Sequence, residues 1–170
     1  MTGLKSAPDT LFFFKNARAL AQMAKERTTQ QSPVGAVLFR DSDETRSVRK
    51  SLWEDKWRSI IRGFEAEDFS LGVPMVPKPK SEAWLLCAVQ HNPYSHCERF
   101  ENISGNDASP NSAKKQLDAA LAAMGKQYAD TCAMIRGGEV QAAQILMPSY
   151  NRFRERLEQV AREMMGRPSA

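Results

Sequence analysis

The stretch VGAVLFRDSDETR, Val34 to Arg46, decides how this 170-residue chain reads. A short apolar run of β-branched and aromatic character stops abruptly at Asp41-Ser42-Asp43. Near-continuous apolar runs of this length are the mark of parallel strands buried on both faces. Open α/β sheets take their ligands just past the carboxyl ends of such strands. Two carboxylates at i and i+2 at that exit bring hard oxygen donors towards one Mg²⁺ or Mn²⁺. The same acidic run is also ordinary turn and N-cap chemistry, and the spacing alone favours the cap.

Working outward, Thr10 to Arg27 has helical composition, with Phe13, Ala17, Leu20, Ala21 and Ala24 at helical spacing. Thr28 to Pro33 breaks it. After the strand Val34–Phe39, the chain returns to helix from Glu44 to about Glu65, where Val48, Leu52, Trp53, Trp57, Ile60 and Ile61 form an apolar stripe. Phe69 to Val76 reads as a second strand, closed by Pro77 and Pro79, which cannot sit inside a central strand. Helices are expected at Glu82–Val89, Ser112–Ala123, Lys126–Arg136, Glu139–Leu146 and from Pro148 onward. A polar loop fills His91 to Asn111.

The expected fold is α/β: a small parallel sheet flanked by helices, with a helical C-terminal half. One domain is expected over residues 1–170, with a helical lead-in at 1–33, an α/β core carrying the acidic site at 34–90, and a loop and helical part at 91–170. Only two strands are visible, so the sheet reads as thin and lacking at least one strand.

Composition is that of a globular chain rather than a disordered one. No apolar run approaches membrane-spanning length and no secretory signal is visible, so no membrane partner and a cytoplasmic address are the default expectations. The net charge of +4 is compatible with nucleic acid without demanding it. Solvated helix faces account for most of the basic clusters.

Three cysteines, an odd and widely spaced set, argue against a disulfide framework. Cys87, His91, His96 and Cys97 are a possible zinc set, weighed against plain core packing of Cys87 beside Leu85 and Leu86. Core packing is preferred, and zinc is not the expected cofactor. Trp53, Trp57 and Trp84 are expected in the core rather than as base-stacking platforms. Asn106 to Ser112, with Lys114 and Lys115 in the following helical turn, reads as a phosphate-binding helix start or simply a capped helix.

Glu82 lies just beyond the second strand, in Pro77-Lys78-Pro79-Lys80-Ser81-Glu82-Ala83-Trp84-Leu85-Leu86. With parallel strands it falls on the sheet edge that carries Asp41 and Asp43. Alone, it reads as a helix-dipole partner at a helix start.

Taken together, strand, D-x-D, helix, strand and P-K-x-x-E-A-W-L-L resemble the Toprim-like proteins of bacterial defence and mobile-element loci. These are distant relatives of the catalytic domain of topoisomerases, primases and OLD-type nucleases. Gly105 to Leu117 and Met147 to Phe153 also resemble that group's carboxyl half, so the resemblance covers about Val34 to Arg154. It implies Mg²⁺- or Mn²⁺-dependent cleavage of nucleic-acid phosphodiesters in an antiviral defence or mobile-element setting. By the resemblance Asp41, Asp43 and Glu82 would be metal ligands and catalytic acids and Lys80 a catalytic phosphate contact; Lys78, Arg46, Lys114 and Lys115, from the basic clusters, are the expected nucleic-acid contacts. Toprim domains also carry a glutamate at the end of an earlier strand. This chain has no such unit before D-x-D, so a protein partner supplying the strand and glutamate is one expectation. The alternative function is a non-catalytic accessory subunit that binds a partner protein or nucleic acid.

Overall fold

A computed structural model describes residues 8–29, 32–43 and 52–166. Arg46, Val48 and the first turns expected of the second helix lie outside the described residues. The chain is α/β, with a two-stranded parallel sheet and otherwise mostly helix.

The chain divides into two compact units. The first comprises the described residues within Met1–Arg40, Lys50–Val76 and Phe153–Ala170; the second, those within Asp41–Arg49 and Pro77–Arg152. In the first unit, helix α1 (Pro8–Arg27) precedes strand β1 (Ala36–Phe39), helix α2 (Leu52–Glu65) and strand β2 (Gly72–Met75). β1 and β2 pair in parallel, Ala36 opposite Gly72 and Phe39 opposite Met75. Both strands are shorter than their apolar runs.

The core of this unit is built from the spacings that define its helices. Phe13, Ala17, Ala21 and Ala24 of α1 are buried with Trp53, Trp57, Ile60 and Phe64 of α2, and with Val73 of β2. Small residues on α1 let the two helices approach closely. A Cβ built on Gly63 would stand 2.5 Å from the Phe14 carbonyl oxygen and 2.7 Å from the Ala17 Cβ. Gly72 is likewise required by the Phe64 ring, 2.3 Å from where its Cβ would be. Arg40 and Lys56 both face the Phe13 ring, at 5.2 and 5.7 Å from its centroid. Cations over an aromatic face are attracted by its quadrupole, which lets the burial of Lys56 be tolerated.

In the second unit, helix α3 (Ser81–Val89) leads into a loop, a 3₁₀ turn at Cys97–Asn102, helix α4 (Ala113–Ala123), a 3₁₀ turn at Tyr128–Asp130 and helix α5 (Thr131–Arg136). Helix α6 (Pro148–Met165) begins in this unit and ends in the first. Ser112 caps α4 by accepting the Lys115 N–H, as its side-chain chemistry predicts. Trp84 is buried, donates to Ser149 Oγ at 2.9 Å and meets the Tyr150 ring edge-on.

Two expectations need correction. The run Glu139–Leu146 is not a helix; only a 3₁₀ turn at Ala142–Gln144 forms, because Gly137-Gly138 and exposed Gln141–Gln144 leave no apolar stripe to bury. The cysteines are not free of disulfides either. Cys87 and Cys97 are bonded, their Cα atoms 5.1 Å apart, and Cys132 is a free, exposed thiol. The turn through Asn92-Pro93 and left-handed Tyr94 (φ 63°) and His96 (φ 51°) folds the chain back on the end of α3, where the Tyr94 N–H donates to the Cys87 carbonyl. Both sulfurs of the zinc set are therefore spent on each other. His91 and His96 are exposed.

A candidate acidic site around Lys80

Every described member of the site belongs to the second unit. The segment Asp41–Asp43 lies against Pro77–Ser81. Ser42 N–H donates to the Pro77 carbonyl at 3.1 Å and Asp43 N–H to the Pro79 carbonyl at 3.0 Å. Ser42 is buried, and its hydroxyl also donates to the Pro79 carbonyl. The Lys78–Pro79 peptide bond is cis. Asp43 sits at φ 50°, a left-handed conformation that aspartate tolerates better than most residues. These contacts fix where the carboxylates stand.

Asp41 Oδ1 accepts the Ser81 N–H at 2.9 Å. Ser81 opens α3, and the residue before it, Lys80, supplies no side-chain cap. Asp41 thus caps a helix 40 residues away in sequence. The start of the helix that this run is expected to cap, from Glu44, lies outside the described residues; the cap seen is on α3. Burial pushes the Asp41 carboxyl above its ordinary pKa. The Ser81 bond and the Lys80 charge oppose that, while the Glu82 and Asp43 carboxylates reinforce it.

Lys80 reaches two carboxylates from its largely buried position. Its Nζ lies 3.1 Å from Asp107 Oδ1 and 3.4 Å from Asp43 Oδ1. Burial alone would lower the ammonium pKa, but the bond to Asp107 and the charges of Asp43 and Asp107 outweigh it and raise the pKa. Glu82, half-buried in the first turn of α3, lies near Ser81, its Oε2 3.4 Å from Ser81 Oγ. Its negative charge is felt at Asp41 and at Tyr128. The Tyr128 phenol is raised by burial first, then by Glu82, Asp41, Cys132 and Asp118.

Asp41, Asp43, Lys80 and Glu82 therefore share one neighbourhood, and Asp107 joins them. In the sequence Asp107 reads only within the phosphate-binding or capped helix start, not as a partner of Lys80, and Tyr128 is not singled out. Asp107 lies in the Gly105–Ser112 loop, whose composition signals turns and capping rather than a partner for a distant lysine. Lys115 donates to the Ala108 carbonyl and Lys114 is exposed in the first turn of α4. Lys78 is half-buried, and Arg46 lies outside the described residues. A cavity of about 420 Å³ is lined by Ala88, Val89, His91, Pro93, Ala120 and Met124 among others, and by none of these acids.

Among the described residues, no three His, Cys, Asp or Glu side chains stand ready to hold a metal ion. The carboxylates present are the hard oxygen donors that Mg²⁺ and Mn²⁺ take, and the Lys80 ammonium holds Asp43 and Asp107. Among the described residues no helix is long and apolar enough to cross a membrane. The fold and site define an α/β chain with an acidic cluster built round a lysine. Comparison with protein-family models, with curated proteins and with solved structures gives no match.

Proposed function

We propose that this chain is the metal-binding subunit of a Toprim-like nuclease that hydrolyses nucleic-acid phosphodiesters in a prokaryotic defence or mobile-element system. The observation that carries this reading is the packing of Asp41–Asp43 on Pro77–Ser81, which sets Asp43 beside Lys80 and leaves Asp41 within reach of the Glu82 charge. A Mg²⁺ or Mn²⁺ ion held by such carboxylates neutralises charge on the scissile phosphate and lowers the pKa of a bound water. In this reading Asp41, Asp43 and Glu82 are the ligands. Lys80, freed from Asp43 and Asp107, is the phosphate contact, because an ammonium stabilises developing negative charge. Lys78, Lys114, Lys115 and Arg46 are assigned to the nucleic-acid backbone. The cytoplasm is the proposed compartment.

The test is nicking of supercoiled plasmid DNA, and of a structured RNA, by the purified chain with Mg²⁺ or Mn²⁺. Cleavage that disappears in Asp41→Ala and Asp43→Ala supports the proposal. Where the chain alone does not cut, the same assay with the neighbouring gene product that co-purifies with it decides between a subunit and an inert chain.

A specific observation favours a second reading. Lys80 already neutralises Asp43 and Asp107, which suits a scaffold that keeps its acidic loops closed without metal. That reading makes the chain a non-catalytic accessory subunit. Absence of Mn²⁺ binding by calorimetry, with a folded protein, would select it.

A further inference from the structure

The two outer edges of the sheet are finished differently. On β2, Pro74 has no N–H to offer, Arg156 Nε donates to the Gly72 carbonyl at 3.0 Å, and Trp53 Nε1 donates to the Val76 carbonyl at 2.8 Å. That edge is closed. On β1, the Ala36 and Arg40 N–H groups donate to Leu71 and Met75 of the paired side. Backbone groups alternate along a strand, so those of Val37 and Phe39 face outward. No described residue hydrogen-bonds them. Their side chains, two apart on one face, are 45 % and 51 % exposed.

An open strand edge with exposed apolar residues is a template for another strand. We propose that a second copy of this chain adds its own β1 to this edge, antiparallel, about a two-fold axis at Leu38. Only an extended strand matches outward N–H and C=O groups at alternate residues. A two-fold at Leu38 sets Val37 opposite Phe39 of the second copy, and Phe39 opposite its Val37. Each is a β-branched–aromatic pair, a favourable cross-strand combination.

Charge selects the direction. Arg40 is exposed at one end of β1, and the other end, from Pro33 to Ala36, is uncharged. Antiparallel pairing sets each Arg40 opposite Ala36 of the other copy and keeps the two guanidinium groups apart. Parallel pairing would set Arg40 beside Arg40, which costs energy. The contact is isologous and closes after two copies. It also turns two strands into four, more than the three that an independently stable sheet needs. A single pair of four-residue strands buries less than the roughly 1,200 Å² of a standard interface, so the dimer is weak. The inference is independent of the acidic site.

Sedimentation equilibrium of the full chain from about 5 µM to about 1 mM tests it, because a weak interface fills only in the upper part of that range. The expected result is a monomer–dimer equilibrium in which Val37→Lys raises the dissociation constant at least about tenfold, with the thermal midpoint of the dilute protein unchanged. Hydrogen exchange of the unmodified chain is the second measurement and needs no variant. The amides of Val37 and Phe39 should slow as concentration rises, while that of Leu38, already facing β2, should not. A chain that stays monomeric throughout overturns the proposal. So does a dimer indifferent to Val37→Lys, or exchange at Val37 and Phe39 that ignores concentration.

Discussion

The ammonium of Lys80 stands between Asp107, 3.1 Å away, and Asp43, 3.4 Å away. Lys80 is the residue before α3, Asp43 follows β1 along the chain, and Asp107 belongs to the loop before α4. One side chain thus ties three distant segments of the second unit together. Its side chain is 16 % exposed, against 67 % for Asp43 and 51 % for Asp107. The bonds are accordingly partly screened, and their effect is best read through pH.

The sign of that effect follows from linkage. The folded pKa of Lys80 is raised above 10.5, so the folded chain holds this proton where the unfolded chain has lost it. The stability Lys80 contributes is complete below pH 10.5 and is lost as pH rises through the folded value. Urea denaturation at intervals from neutral pH into the alkaline range should show that extra loss in the unmodified chain. Lys80→Gln should lack it, and should be the less stable protein at neutral pH, because Asp43 and Asp107 then lose their cation. Parallel stability curves for the two proteins through the alkaline range would contradict the assignment.

Asp41 carries a structural bond as well as its proposed metal role, and two substitutions separate them. Asp41→Asn keeps an oxygen that accepts the Ser81 N–H, whereas Asp41→Ala leaves the start of α3 uncapped. Loss of an N-cap acceptor costs about 1 kcal/mol, within a range of about 0.5 to 2. Thermal or urea unfolding without metal should show that deficit in the alanine variant and little of it in the asparagine variant. Calorimetry with Mn²⁺ should show weakened binding in both, since each removes the anionic donor. Asp43→Asn is the counterpart: exposed and, among the described residues, holding the longer Lys80 contact, it should lose Mn²⁺ affinity with its metal-free thermal midpoint nearly unchanged. Equal stability loss in Asp41→Asn and Asp41→Ala would remove the cap argument.

Much of this architecture was legible because burial leaves a period in the sequence. The helical spacing of Phe13, Ala17, Ala21 and Ala24, and of Trp53, Trp57 and Ile60, marks the helices that form, and those residues are buried. The apolar run ending at Asp41 marks β1, and prolines mark the end of β2. Strand lengths were not legible, because an apolar run marks burial and not where the ladder of paired backbone begins and ends. The carboxylates at Asp41, Asp43 and Glu82 were readable as a group once the strands were taken as parallel. Their connections were not. That Asp41 caps α3 depends on how Asp41–Asp43 pairs with Pro77–Ser81; that Lys80 grips Asp107 depends on where the loop Gly105–Ser112 returns, and nothing in its polar composition encodes a destination. The 3₁₀ turn Cys97–Asn102 was hidden in the same way: Cys97 and Phe100 are its only buried side chains, too few to set a period.

The bond between Cys87 and Cys97 escaped for a related reason, since a separation of ten residues says nothing until the turn between them is known. It makes a sharp prediction. Unfolded without reductant, the chain should expose one thiol to a chromogenic reagent, that of Cys132; after reduction it should expose three. Closing a loop of this size restricts the unfolded chain, and the restriction stabilises the folded state by about 2 to 3 kcal/mol. The double substitution Cys87→Ala and Cys97→Ala should lose that amount by urea unfolding, plus a smaller packing term, because both sulfurs are buried beneath the end of α3. The reduced unmodified chain should fall close to the double variant. Oxidising compartments preserve such bonds and the cytosol reduces them, so the thiol count of protein trapped by alkylation at cell lysis also reports where the chain resides. Three free thiols in trapped protein would mean that the bond is not the form present in the cell. One would place the protein in an oxidising setting and count against the cytoplasmic address.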